Sequence, residues 1–273
     1  MLITGCSTGI GRALVGVCRG AGWGVVATAR RLADLGDLPD GDDLRRLSLD
    51  VTSAESIANA VKSCEDLCLI GLINNAGYGQ AGPLELLRPE ELRAQFETNV
   101  VGLQAVTNAF LPLIRKNAKP GEGRIVHVAS MLGRLSIPLA GPYNASKHAV
   151  VALAETLRLE IGQEIPVVLV EPGAVSSSFR DTMAKAWGDL PERAKGTRFE
   201  TILARYSRAR KHHAERYAGS PLDAARRILP ALTRKHPPRR ILIRPEARLA
   251  GWVKALVPAP LWEWLLRRAY GLL

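Results

Sequence analysis

Tyr143 and Lys147 stand four residues apart in the segment Tyr-Asn-Ala-Ser-Lys, the spacing that puts two side chains on one face of a helix. An unperturbed phenol, with a pKa of about 10, is a poor base near neutrality, and an ammonium beside it favours the phenolate. Such a pair is a proton donor and acceptor whose working pKa approaches ambient pH, as general acid–base chemistry requires. Ser130 ends an apolar run upstream, where its hydroxyl can hydrogen-bond a carbonyl or alcohol oxygen. Near the N-terminus, Thr4-Gly5-Cys6-Ser7-Thr8-Gly9-Ile10-Gly11 joins a short apolar run to a helical one. Glycine suits such a turn because the backbone must bend sharply and approach a pyrophosphate, whose charge then meets the free N–H groups of a helix N-terminus.

These groups need a frame that brings them to one edge. Met1–Thr4, Gly24–Thr28, Leu44–Leu49, Leu69–Asn74, Gly123–Ser130 and Pro166–Glu171 read as strands, several apolar on both faces as a buried parallel sheet requires. Ile10–Gly20, Ser53–Cys64, Pro89–Ile114 and Tyr143–Gly162 read as helices between them. The alternation predicts an α/β fold, a doubly wound, Rossmann-like parallel sheet with helices on both faces, whose ligands sit at the carboxyl ends of the strands. With three residues before Thr4, the first strand is expected to be brief. Residues 1–180 are expected to form the cofactor-binding and catalytic core of a single domain spanning 1–273. From residue 181 the chain turns polar and basic, with a helix over Pro221–Thr233, a last strand over Arg240–Ile243 and an apolar, Trp-bearing finish. That part is expected to form a helical lid over the substrate.

The spacing Gly-x-x-x-Gly-x-Gly, with Asn74-Asn75-Ala76-Gly77 after the fourth strand, Asn99 within a helix, the set Ser130, Tyr143 and Lys147, and Pro172-Gly173 after the sixth strand, resembles the short-chain dehydrogenase/reductase family. The resemblance covers residues 1–180 and implies hydride transfer between a nicotinamide dinucleotide and a carbonyl or alcohol. It makes Tyr143 the general acid/base, Lys147 its electrostatic activator and ribose contact, and Ser130 the orienter of the substrate oxygen. On it, Asn99 positions a water that links Lys147 to solvent; on the residue alone, a buried helical Asn satisfies a local hydrogen bond. Cofactor contacts are implied at Gly5, Ser7, Thr8, Gly9, Ile10 and Gly11 of the turn, and at Asp50 and Val51 beside the adenine. Further contacts are implied at Asn75, at Ala76 and Gly77 near the adenosine ribose, and at Pro172, Gly173 and Val175. Ser177 stands where the family typically carries a Thr that meets the nicotinamide carboxamide, and it retains the hydroxyl.

After the second strand an acid would bind the ribose hydroxyls of NAD, whereas an arginine would pair with the 2′-phosphate of NADP. The chain reads Ala27-Thr28-Ala29-Arg30-Arg31 there, with no acid before Asp34. Arg30, supported by Arg31, therefore predicts NADP in preference to NAD. Met131, Leu132, Leu135, Ile137, Pro138 and Leu139 precede Tyr143 and predict a lipophilic ketone, aldehyde or alcohol as substrate. The segment from Pro221 onward is loosely similar to hydroxysteroid and retinol dehydrogenase-like members. A catalytically silent dinucleotide-binding sensor or scaffold is the alternative, and an intact catalytic set argues against it.

The formal net charge is +11 over 273 residues, which raises nucleic acid, anionic membrane and anionic ligand as partners. Residues 1–180 carry 17 basic against 18 acidic side chains, and residues 181–273 carry 20 against 8. The excess thus lies outside the catalytic motifs, and no base-reading motif accompanies it, so nucleic acid is not expected. Cys6, Cys18, Cys64 and Cys68 fit neither a disulfide framework nor a metal pattern; no metal is expected, and free thiols point to the cytoplasm. Trp252, Trp262 and Trp264 lie near Lys254, Arg267 and Arg268. That stretch suits packing over the pocket, a contact in a homo-oligomer, which is expected, or a helix lying on an anionic membrane surface.

Overall fold

In the computed structural model, which describes residues 1–176, 179–206 and 218–273, apolar side chains alternate along the strands and both phases are buried. Ile3, Ala27, Ile73, Val126 and Val168 face one layer; Leu2, Val26, Leu72, Ile125 and Val167 face the other. Strands buried on both faces favour parallel pairing under two helical layers. The seven strands are β1 (Leu2–Ile3), β2 (Val25–Ala29), β3 (Leu44–Ser48), β4 (Gly71–Asn74), β5 (Arg124–Val128), β6 (Val167–Pro172) and β7 (Arg240–Ile243). All pair in parallel, in the order β3-β2-β1-β4-β5-β6-β7. The expected doubly wound sheet is present, with β1 as short as anticipated.

One layer holds α1 (Gly9–Gly20), α8 (Pro221–Ile228) and α9 (Pro230–Thr233), which bury Leu14, Cys18, Ala225 and Ile228. The opposite layer holds α2 (Ala54–Lys62), α4 (Gly102–Asn117) and α5 (Gly141–Ile161), with Phe110, Ile114 and Leu157 against the sheet. Local signals set the helix starts. Ser53 accepts from the Ser56 N–H, and Ser220 accepts from the Leu222 N–H with Pro221 in the first turn, so N-caps satisfy otherwise orphaned donors.

One helical expectation is corrected. Pro89–Ile114 is not continuous: α3 (Pro89–Phe96) passes into a π-helical turn over Glu97–Val101 before α4 begins. A π turn inserts one residue into the helical ladder and is frequent at functional sites. Here it carries Asn99 into the interior. The apolar finish also divides, into α10 (Pro245–Leu256) and α11 (Ala259–Tyr270). Among the described residues no helix is long and apolar enough to cross a membrane. The 181–206 segment contributes α6 (Phe179–Ala186), α7 (Leu190–Ala194) and a helical stretch at 199–206.

Below the catalytic edge lies a buried polar group of Asn74, Thr107 and His127. Asn74 Nδ2 donates to Thr107 Oγ1 at 2.8 Å and lies 3.1 Å from His127 Nδ1. An amide donor on Nδ1 leaves the ring hydrogen on Nε2, which is buried without a partner. Burial first, then the charges of Arg158 and Lys147, push the His127 pKa from 6.5 down to about 3. Between those pH values the unfolded chain binds a proton that the folded chain does not. The stability contribution of His127 is therefore complete above pH 6.5 and is lost as pH falls towards 3, by up to about 5 kcal/mol. His127→Asn retains an acceptor for Asn74 and is expected to flatten the acid-side fall of the thermal midpoint in this window; a slope equal to wild type in melts across it would refute the assignment.

Candidate active site

β1 delivers the chain into a turn that tolerates no side chain at its closest point. A Cβ on Gly11 would stand 2.3 Å from the Gly5 carbonyl oxygen and 2.4 Å from Asn75 Nδ2. Gly5 (φ +71°) and Gly9 (φ +62°) take the left-handed backbone that favours glycine. The strand next door locks this turn. Asn75 Nδ2 donates to the carbonyls of Thr4 and Gly5, each at 3.0 Å, while Thr4 Oγ1 accepts from the N–H groups of Asn75 and Ala76, each at 2.9 Å. Asn75, expected among the cofactor contacts, has its amide nitrogen committed to the turn itself. Thr4 is a supporting residue that the sequence reading passed over.

The first turn of α1 holds no acidic residue, and Thr8, extended at φ −155°, does not cap it with its side chain. Its leading N–H groups and dipole are thus left for an anion. Ser7, Thr8, Gly9, Ile10 and Gly11 form this glycine-walled turn, which could hold a pyrophosphate. Cys6 in the same turn is buried, and its thiol is pushed up to about 12, chiefly by burial, which leaves it inert as a nucleophile.

At the adenosine end, Arg30 is exposed at the close of β2 and Arg31 is not its equal. The Arg31 guanidinium is engaged by Asp34 at 2.7 Å, an acid four residues beyond Arg30. Arg30 makes no ion pair among the described residues, and its charge acts on both Asp50 and Tyr78. Burial pushes the Asp50 carboxyl up, but hydrogen bonds from the Thr52 N–H (2.9 Å) and hydroxyl (2.7 Å) hold it below its usual value. Val51 lies buried beside it and presses its carbonyl oxygen within 2.6 Å of where a Cβ on Gly102 would stand.

Tyr143 and Lys147 share the buried face of α5, with Nζ 5.8 Å from the phenol centroid. Lys147 Nζ donates to the Val128 carbonyl at 2.9 Å, and burial pushes its pKa from 10.5 down to about 8. Ser130, extended at φ −170°, follows β5 and accepts from the Leu132 N–H at 3.2 Å. Its hydroxyl hydrogen remains for donation. A Cβ on Gly77 would lie 3.0 Å from Asn99 Oδ1 and 3.8 Å from Lys147 Nζ, so the Asn75–Gly77 strand end, the π turn and α5 converge there.

Asn99 makes three side-chain hydrogen bonds to protein. Its Oδ1 accepts from the Tyr78 N–H at 3.1 Å, and its Nδ2 donates to the Tyr78 carbonyl at 2.9 Å and to Ser146 Oγ at 3.1 Å. Gln95 on α3 completes the clamp by donating to the Tyr78 carbonyl at 2.9 Å and accepting from the Gln80 N–H at 2.6 Å. Holding this loop also shapes the space beside Lys147, because Asn99 and Lys147 flank the same glycine, Gly77. Gln95, buried in a helix otherwise polar in sequence, carried no motif signal.

A buried carboxylate ties the serine turn to the sheet edge. Glu171 on β6 is wholly buried between Arg134 (2.7 Å) and Arg240 (3.0 Å), and Arg240 also reaches Glu155. Burial pushes the Glu171 pKa up while both arginines pull it down. Beyond β6, the Gly173 N–H donates to the Ile243 carbonyl, and a Cβ on Gly173 would lie 2.6 Å from Glu246 Oε1. Val175 bridges Gly219. Ser177 lies outside the described residues.

Above Tyr143 sits an apolar roof. The Phe179 ring meets the phenol edge-on at 5.4 Å, within a cluster of Leu139, Met183, Phe199, Ile202 and Tyr206, against which Tyr270 and Leu272 pack. Most of these residues come from beyond 181 and were not singled out in sequence. Their signal was aromatic residues recurring within a basic stretch. The chain end, at Tyr270 and Leu272, packs against this cluster, while Trp264 of α11 stays exposed. Among the described residues no cluster suits a metal.

The family profile described as short chain dehydrogenase matches residues 1–187. The oxidoreductase YbbO of Escherichia coli K12 is 35% identical over 211 residues, covering 76% of this chain and 75% of its own length. A 3-ketodihydrosphingosine reductase of Bacteroides thetaiotaomicron is 31% identical over 278 residues, covering 100% and 98%. The crystal structure of a short-chain dehydrogenase/reductase from Burkholderia phymatum in complex with NAD superposes with a TM-score of 0.79 at 27% identity, covering 95% of each chain. With the profile matching residues 1–187 and relatives above 30% identity over most of the chain, the chain belongs to the short-chain dehydrogenase/reductase family of oxidoreductases.

Proposed function

We propose that this oxidoreductase prefers NADP and interconverts a carbonyl and an alcohol on a lipophilic small molecule, with Tyr143 as general acid/base. The observation that carries the reading is the Tyr143 phenol held between Lys147 on its own helix and the apolar roof led by Phe179. A bound nicotinamide supplies or accepts the hydride. The rest falls to side chains of this chain. Tyr143 gives its proton to the substrate oxygen in reduction and takes it back in oxidation, and Ser130 donates a hydrogen bond to the same oxygen. Lys147, with one hydrogen on the Val128 carbonyl, has two left for the ribose and for a water leading to solvent, in the space Asn99 maintains.

The same reading treats residues 1–273 as one catalytic unit, 1–180 holding cofactor and chemistry and 181–273 forming the roof. Support for a lipophilic substrate comes from that roof and from a relative whose name places a keto group on dihydrosphingosine. NADP preference rests on Arg30, exposed and without an ion pair among the described residues, while Arg31 is held by Asp34. A homo-oligomer is part of the proposal, supported by the exposed Val101 of the π turn and Leu159 of α5.

Tyr143→Phe is expected to lower NADPH-dependent reduction of lipophilic ketones by about a hundredfold or more, the scale of a lost general acid; turnover at the wild-type rate would refute the mechanism. Arg30→Ala should shift the NADP/NAD affinity ratio towards NAD by about tenfold, the scale of a charge-assisted pair, and a ratio left unchanged removes Arg30 as the clamp. Lys147 is an ammonium below its pKa of about 8. Reductive kcat should therefore hold on the acid side and fall as pH rises through that value; a rate flat from pH 7 to 10 argues against charge activation by Lys147.

A further inference from the structure

β7 is a free edge of the sheet, and α8, α9 and α10 wall a surface cleft of about 710 Å³ beside it. Five arginines line this cleft, Arg226, Arg227, Arg234, Arg240 and Arg248, together with Trp252, and no acidic side chain is among its walls. Arg240 is engaged by Glu171 and Glu155. Arg226 comes only within 4.0 Å of Asp223, both well exposed, a pairing of little worth in water. Arg227, Arg234 and Arg248 make no ion pair among the described residues. On the rim, α10 turns Leu249, Trp252 and Leu256 outward, 60%, 68% and 74% exposed. Their spacing of three and four places them on one face.

A self-complementary contact with a second copy would set these unpaired arginines against one another, and Coulomb repulsion opposes that. A soluble polyanion or a nucleic acid satisfies the charge but gives Leu249 and Leu256 no apolar medium to enter. A bilayer bearing anionic phospholipids satisfies both, since arginines meet phosphodiesters while Trp and Leu side chains settle at the headgroup boundary.

We propose that this face docks the protein on an anionic phospholipid surface, with Arg226, Arg227, Arg234 and Arg248 on the headgroups and Leu249, Trp252 and Leu256 in the interface. The contact is carried by α8, α9 and α10 and not by the Trp262–Trp264 stretch, and it goes beyond the hydride-transfer reading and stands without it. The test is co-sedimentation of the full chain with phosphatidylcholine vesicles, with and without phosphatidylglycerol. Binding is expected only to the phosphatidylglycerol vesicles, weakening as salt rises. Replacing the four arginines by Gln should lower vesicle affinity at least tenfold, and Arg234→Glu alone, at an exposed position after α9, should lower it in the same direction. Trp252→Phe should remove the blue shift of Trp emission on vesicles. Unchanged thermal midpoints would establish that the variants fold, and reduction of a water-soluble ketone would be a separate readout, so a failure of docking and a failure of the proposed chemistry are distinguishable. Equal sedimentation of wild type and the four-Gln variant overturns the proposal. So do a fall in oligomeric mass in that variant without lipid, displacement from vesicles by equimolar inorganic pyrophosphate, and tighter binding to duplex DNA or to RNA than to the vesicles.

Discussion

The site depends on a close approach of two backbones. Gly11, Gly5 and Asn75 meet at distances that leave no room for a Cβ, and the contact joins the ends of β1 and β4, neighbours in the sheet but about seventy residues apart in sequence. Because the Asn75 amide satisfies the carbonyls of Thr4 and Gly5, the turn keeps its shape without a ligand, and the helix N–H groups behind it stay unspent. Preorganised donors of this kind need no rearrangement when an anion arrives. The cost is sequence freedom, since neither glycine nor the asparagine can vary without moving a strand end.

A second constraint runs through the loop after β4. Gln95, just before the helical break, and Asn99, within it, both donate to the Tyr78 carbonyl. A buried Asn between regular turns would point along the helix surface. The π turn rotates it inward, at the expense of the regular ladder over Glu97–Val101. Such an irregularity persists where tertiary hydrogen bonds over-determine it, and here they fix the floor on which Lys147 faces its surroundings. Lys147 in turn is held as a buried cation whose proton is weakened by desolvation.

Much of the fold was legible in the residues because period-two apolar strands and capped helices report local rules. The strand order follows from parallel pairing and right-handed crossovers, and the glycine turn and the Tyr143–Lys147 spacing state their geometry directly. What stayed hidden was set by distant contacts. The helix over Pro89–Ile114 looks unbroken because its apolar period continues through Glu97–Val101, and only Tyr78, far off in sequence, accounts for the break. The pairing of Arg31 with Asp34 was likewise unreadable before the chain folds back after β2. The roof over Tyr143 was unreadable as well, because Phe179, Met183 and Phe199 gather only when several short helices pack. The bracing role of Asn75 was hidden too, because its amide meets the carbonyls of Thr4 and Gly5 only once β1 and β4 pair.

Glu171 has a consequence beyond its packing. It is the shared member of a chain in which Arg134, from the turn that carries Ser130, and Arg240, from the wall of the arginine cleft, hold one buried carboxylate. Arg240 divides its guanidinium between Glu171 and the more accessible Glu155. The serine turn and the β7 edge therefore share one buried counter-charge, and removing either arginine would leave that carboxylate with half its compensation, a cost felt at both ends of the chain of contacts.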